Sequence, residues 1–188
     1  QIVENFYHQV LGLIEGGADV LLIETQQDIL ETKAIIAGAN KAFAEKKKKL
    51  PMIVQATVDV FSKMQIFNTD IHAAYTAVSK MGIDVFGINC NVGPDEMIAT
   101  VEKLSRFCKH PISVVPNAGQ PISEDGQTCY KLSPEDMANT MEPFVREHGV
   151  SIVGGCCGTT PAHIKALREK LNGVVPATRY PDEKVYVS

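Results

Sequence analysis

The stretch Val153-Gly154-Gly155-Cys156-Cys157-Gly158-Thr159-Thr160-Pro161 decides the reading of this chain. An apolar run ends in two adjacent cysteines and passes through Gly-Thr-Thr-Pro into the start of a helix. Neighbouring side chains on a strand point to opposite faces, so two thiols that act together there require a chain that turns out of its pleat. The flanking glycines permit that turn. A third cysteine sits in the same setting far upstream, in Phe86-Gly87-Ile88-Asn89-Cys90-Asn91-Val92-Gly93-Pro94-Asp95. Three thiolates at strand ends form an open metal site with one coordination position left for a substrate.

Outward from that motif, the chain alternates strands and helices. Strands are predicted over Asp19–Glu24, Met52–Thr57, Val85–Cys90, Ile112–Asn117 and Ser151–Cys157. The first is a short continuous apolar run, as a strand buried on both faces should be. The helix after the first strand is expected to start at Asp28, with Glu31 completing a capping box. The next spans Asn68–Lys80. Another starts at Pro94 and keeps Met97, Ile98, Val101, Leu104 and Cys108 on one side. After a longer loop, Ser133 caps a helix with Pro134 in its first turn. The last opens at Pro161 and carries Ile164, Leu167 and Leu171. Residues Ile2–Glu15 form the helix before the first visible strand, with Phe6, Val10, Leu13 and Ile14 at helical spacing.

Strand starts near residues 19, 52, 84, 112 and 151 have the rhythm of a parallel βα array. No Gly-x-Gly-x-x-Gly follows a strand, so a dinucleotide fold has no positive support. Glu24, Thr57, Cys90, Asn117, Cys156 and Cys157 all fall at the C-terminal ends of strands, where a (β/α)8 TIM barrel places its functional groups. The expected fold is therefore α/β: the C-terminal five strand–helix units of such a barrel, with its N-terminal three strands absent.

Composition excludes several classes. The 188 residues are 45% hydrophobic and carry a net charge of −4; the pI is about 5.7. No basic face invites nucleic acid or an anionic membrane, and the Lys46–Lys49 run reads as a solvated helix end. No apolar stretch approaches the ~20 residues of a membrane span. Five cysteines, an odd count with three placed as ligands, argue against a disulfide framework and for a reducing, cytoplasmic setting. Cys108 is expected in the core and Cys129 in a loop. His72, His110, His148 and His163 show no paired metal spacing and are read as residues of helix surfaces or ends.

Asn89-Cys90-Asn91 together with Gly154–Pro161 resembles the zinc-binding signature of the homocysteine S-methyltransferase family, over about Gly17 to Gly173. Leu22-Ile23-Glu24-Thr25, Asp28 and Pro116-Asn117-Ala118-Gly119 extend the match and look most like the family's cobalamin-dependent branch, the methionine synthases. The resemblance implies Zn²⁺ on Cys90, Cys156 and Cys157, homocysteine as substrate, and methylcobalamin as donor, with cobalamin held by another module. It implies Glu24 as a contact for the substrate ammonium, Thr25 beside it in the substrate site, and Asn117 as a possible zinc contact. Residues 1–173 would be the homocysteine-binding part. The Pro- and charge-rich tail 174–188 resembles a linker toward folate- and cobalamin-binding domains of the same chain.

The chemistry agrees with that implication. A free thiol is mostly protonated at neutral pH and is a poor nucleophile; coordination to Zn²⁺ deprotonates it. Three cysteinates leave the zinc with excess negative charge, which keeps a bound substrate sulfur electron-rich. Three histidines would suit water activation better. Two other readings stay open: a betaine- or sulfonium-dependent homocysteine methyltransferase, and a zinc-holding structural module without turnover. The lesser alternative for Glu24 is a salt bridge to a neighbouring helix, and for Asn117 a turn-forming role.

Overall fold

A computed structural model describes residues 1–182 of the chain. Helix α1 (Ile2–Glu15) leads into β1 (Leu21–Gln26), α2 (Ile29–Lys46) and β2 (Met52–Ala56). A small ribbon, β3 (Lys63–Met64) and β4 (Thr69–Asp70), precedes α3 (Ile71–Val78), β5 (Val85–Asn89) and α4 (Pro94–Phe107). Strand β6 (Ile112–Val115) is followed by a hairpin, β7 (Pro121–Glu124) and β8 (Gln127–Tyr130). Helix α5 (Pro134–Arg146), β9 (Ile152–Val153) and α6 (Pro161–Lys170) complete it.

The five principal strands form one parallel sheet in the order β1-β2-β5-β6-β9, so spatial order follows chain order. Each βα unit places its strand beside the previous one, as a singly wound βα array requires. One face of the sheet carries Leu21, Ile23, Met52, Val54, Ala56, Phe86, Ile88, Ile112 and Val114, all buried in the core with residues of the helices. The other face is more open and more polar. Leu22 is 47% and Ile152 36% exposed, while Gln55 on this face donates to Ser113 Oγ at 2.6 Å.

Elements formed as expected, with boundaries moved by specific contacts. Strand β1 starts at Leu21 rather than Asp19, because pairing begins where Leu21 N–H reaches Pro51 O. Asp28 does cap α2, accepting from Leu30 N at 2.7 Å, but no return bond from Glu31 completes a capping box. Helix α3 begins at Ile71, not Asn68, since the preceding residues enter the β3–β4 ribbon and Asp70 supplies the cap. The "longer loop" after β6 is the β7–β8 hairpin, and Cys129 lies on one of its strands, opposite Ile122. Asp125-Gly126 at its tip, both at positive φ, is a hairpin turn signal present in the sequence. Strand β9 is only two residues long, and the chain leaves the pleat before the cysteines. Leu13, Ile98 and Ile164, placed on apolar sides by spacing, are 43%, 40% and 46% exposed.

The basic run is solvated as expected: Lys46 pairs with Glu15 at 2.6 Å and Lys49 with Asp84 at 3.0 Å. Part of the tail is docked. Ala177 N–H donates to Val145 O, and the Arg179 guanidinium donates to the carbonyls of Cys108 and His110. The linker expectation for 183–188 lies outside the described residues.

Candidate metal centre

Strand β5 delivers Cys90. Its end is bent by two successive left-handed residues, Cys90 (φ 64°) and Asn91 (φ 68°). Asparagine tolerates that region, whereas cysteine there stores strain of the kind that collects at functional sites. The bend is held from several sides. Cys90 N–H donates to Val115 O at 3.0 Å, Asn91 Nδ2 donates to Val58 O at 2.9 Å, and Asn91 Oδ1 accepts from Gln65 at 2.9 Å.

Cys156 and Cys157 follow β9. Cys156 N–H donates to Pro116 O at 2.7 Å, and Cys157 O accepts from Ala118 N–H at 2.9 Å. Asn117, only 3% exposed, accepts the Cys157 N–H on Oδ1 at 3.1 Å and donates its own N–H to Val92 O at 3.0 Å. One buried asparagine thus ties the Cys90 loop to the Cys157 loop. Asn117 is more than a turn-former.

The result is a convergent set of sulfurs. Cys90 Sγ lies 3.8 Å from Cys157 Sγ, and Cys156 Sγ lies 3.9 Å from Cys157 Sγ. All three sit within 4.8 Å of one another. Ligands about 2.3 Å from a tetrahedral Zn²⁺ are about 3.8 Å apart along each edge, so the donor set and its spacing fit that ion. Among the described residues this is the one such cluster of His, Cys, Asp or Glu. Cys157 is exposed while Cys90 and Cys156 are half-buried, leaving an open side for a fourth ligand. Burial, then the neighbouring Cys90 and Cys157 sulfurs, push the Cys156 thiol up to about 12. Thiols crowded together resist charging until a cation joins them.

The other predicted residues surround this cluster. Thr25 adopts φ 59° at a register shift in the β1–β2 pairing, an outlying conformation for a β-branched residue. It is locked there by Asn89, whose Oδ1 accepts the Thr25 N–H at 2.8 Å and whose Nδ2 donates to Thr25 Oγ1 at 2.9 Å. Asn89 O in turn accepts from Thr57 Oγ1 at 3.0 Å. Asn89 had no role in the sequence reading, although it stands in the motif beside Cys90; its complete burial is what reveals it. Glu24 is exposed and borders a cleft of about 200 Å³ with Phe6, Val10 and Leu22. Among the described residues its carboxylate makes no ion pair, so the salt bridge to a helix is not formed.

The histidines stay out of the cluster. His163 is buried rather than on a helix surface; it closes a capping box with Thr160 and sits 2.9 Å from Leu132 O. His110 contacts the Tyr75 hydroxyl at 3.0 Å. Cys108 is fully buried as expected, and burial raises its thiol to about 11.

Residues 1–171 match the family described as homocysteine S-methyltransferase. The chain belongs to that family. It is 41% identical over 166 residues to a methionine synthase of Mycobacterium tuberculosis (strain ATCC 25618 / H37Rv), a match covering 88% of this chain and 14% of the relative. A methionine synthase of Mycobacterium leprae (strain TN) is 38% identical over 181 residues, covering 94% and 15%. The chain therefore spans about one-seventh of the length of these curated relatives. Its fold resembles that of the homocysteine methyltransferase MmuM from Escherichia coli. The apo form superposes with a TM-score of 0.67 at 24% identity, covering 89% of this chain and 57% of that one. The metallated form gives the same score and covers 52% of that chain.

Proposed function

We propose that this chain is the homocysteine-binding part of a methionine synthase-type enzyme, transferring a methyl group to the homocysteine thiol to give methionine. Residues 1–173 would contribute the C-terminal five units of a (β/α)8 barrel, and 174–188 the linker toward further cobalamin- and folate-binding domains. No described helix is long and apolar enough to cross a membrane; the free cysteines suit a reducing, cytoplasmic setting. The observation that carries the reading is the trio of cysteine sulfurs within 4.8 Å of one another, two of their spacings at the tetrahedral edge, with one open side. Zinc held there by Cys90, Cys156 and Cys157 would act as a Lewis acid that keeps the substrate sulfur deprotonated and nucleophilic.

The chain's own residues would do the rest. Asn117 and the Pro116 carbonyl fix the two-cysteine turn, and Asn89 sets Thr25, presenting the unpaired Glu24 carboxylate to the homocysteine ammonium. A structural zinc module needs four protein ligands, and the open side of a three-cysteine cluster favours catalysis. Methylcobalamin as donor follows the resemblance to methionine synthases; betaine or a sulfonium is the alternative. The test is zinc analysis and methyl-transfer assay of the full-length protein. One zinc per chain with methionine formed from homocysteine and methylcobalamin supports the reading; activity in zinc-free protein overturns it.

Glu24→Gln in the full-length protein should weaken homocysteine binding by about 2–5 kcal/mol, the cost of leaving one partner of a desolvated charge pair alone. Zinc content should not change. Unaltered homocysteine affinity on calorimetric titration would remove Glu24 from the substrate site.

Loading the metal should also release protons. Because burial and the neighbouring sulfurs push the Cys156 thiol above its ordinary value, coordination at neutral pH must expel the thiol proton, and protons compete with metal as pH falls. Apparent zinc affinity should therefore rise with pH across the neutral range. Calorimetry in two buffers of different ionisation enthalpy reads the release directly; equal heats in both would exclude Cys156 as a ligand.

A further inference from the structure

The β7–β8 hairpin ends on Tyr130, and Tyr130 stands against the cysteine turn. A Cβ built on Gly158 would come within 2.2 Å of Tyr130 Cγ and 2.5 Å of its Cβ and Cδ2. The bare glycine, at φ 77°, is what lets the ring lie so close. The segment after Tyr130 is anchored on both sides: Leu132 N–H donates to Ala118 O at 3.2 Å, and Leu132 O faces His163 Nε2 at 2.9 Å. Leu132 Cβ also lies 3.2 Å from where a Cβ on Gly119 would be. The segment that carries Tyr130 and Leu132 is thus held against both the 116–119 and the 156–163 segments. The Tyr130 ring therefore borders the residue that follows Cys157, and the sulfurs of Cys157, Cys90 and Cys156 all act on its hydroxyl. No other role in the site employs this residue.

We propose that Tyr130 is a positioning residue of the thiolate cluster: its ring seats the Cys156-Cys157-Gly158 turn, and its hydroxyl donates a hydrogen bond to Cys157 Sγ when that sulfur is a thiolate. The proposal rests on the reading of the three cysteines as metal ligands. A phenol has one donor to offer, and a hydrogen bond to an ionised acceptor is about twice as strong as a neutral one. Such a bond orients the ligand and draws charge from it, the usual service of outer partners at a metal site. The hairpin, rather than the barrel strands, would then tune how much electron density Cys157 gives the metal.

The test loads the full-length protein with Co²⁺, whose thiolate charge-transfer absorption reports the sulfur donors. Tyr130→Phe keeps the ring and removes only the hydroxyl. It should bind one Co²⁺ per chain, shift the charge-transfer band to longer wavelength as the sulfur lone pairs rise in energy, and lower metal affinity about 10-fold. Tyr180→Phe, a change at a tyrosine 87% exposed on the tail, should match the unsubstituted protein. A role confined to packing would leave the band of Tyr130→Phe in place. An unshifted band in Tyr130→Phe, with normal absorption in the unsubstituted protein, overturns the role of Tyr130 alone. Absence of thiolate charge transfer in the unsubstituted protein overturns the metal-site reading and this proposal with it.

Discussion

Cys157→Ser in the full-length protein should lose its zinc and its methyl transfer while keeping its fold. Cys157 is exposed, so its removal leaves no cavity, and the turn is held by the Asn117 side chain and the Ala118 amide. A serine hydroxyl is a harder and less acidic donor than a thiol, poorly matched to a site built from thiolates. Outer partners alone cost 10–100-fold in metal affinity or activity, so loss of a direct ligand should cost more than about 100-fold. Cys90→Ser should behave alike. Cys108→Ser provides the contrast: the buried thiol already donates to His110 O at 3.5 Å, so a serine hydroxyl there keeps a partner, should change stability by no more than about 1 kcal/mol and should leave the zinc per folded chain unchanged. Metal analysis alongside thermal unfolding separates the cases. Full zinc retention by both Cys90→Ser and Cys157→Ser would sink the metal centre.

The 188-residue chain expressed by itself should show little or no methyl transfer, at least about 100-fold below the full-length protein. Strands β1 and β9 are the edges of a parallel sheet, and parallel edges left unpaired promote association. The face between them carries half-exposed Leu22 and Ile152 that a closed barrel would cover. Both ends of the proposed site sit on these edges: Glu24 and Thr25 on β1, and the two-cysteine turn just after β9. A displacement of about 1 Å there is worth about 100-fold in rate. Assay of the isolated chain for homocysteine methylation, with and without a fragment supplying the remaining strands, decides the matter. Robust turnover by the isolated chain would refute the dependence on barrel closure.

Much of the site was legible before any coordinates. Adjacent cysteines between glycines, and a third cysteine between asparagines, marked the candidate ligands because thiols in that setting have little reason to be there for packing. Glu24 was legible for a similar reason, as a carboxylate at the end of an apolar strand. Asn89 and Tyr130 were not. Each acts across the sheet, Asn89 on Thr25 64 residues away and Tyr130 on a glycine in another loop, and nothing local in either segment points to its partner.

By itself the sequence determined the order of strands and helices, the parallel sheet that follows from it, and which three sulfurs belong together by chemistry. Periodicity, caps and glycine-flanked thiols are local properties, and local physics is what a linear sequence displays. The tertiary structure alone decided the 3.8 and 3.9 Å sulfur spacings, the bridging of the two cysteine loops by Asn117, the lack of an ion pair on Glu24 among the described residues and the closeness of Tyr130 to Gly158. It also shortened β9 to two residues, although the backbone amides of Gly154 and Cys156 still reach Val114 O and Pro116 O on the neighbouring segment. Those distances arise only when strands far apart in the chain are laid side by side. A coordination site is a set of distances between such strands, so its chemistry could be read from the residues but its geometry only from the fold.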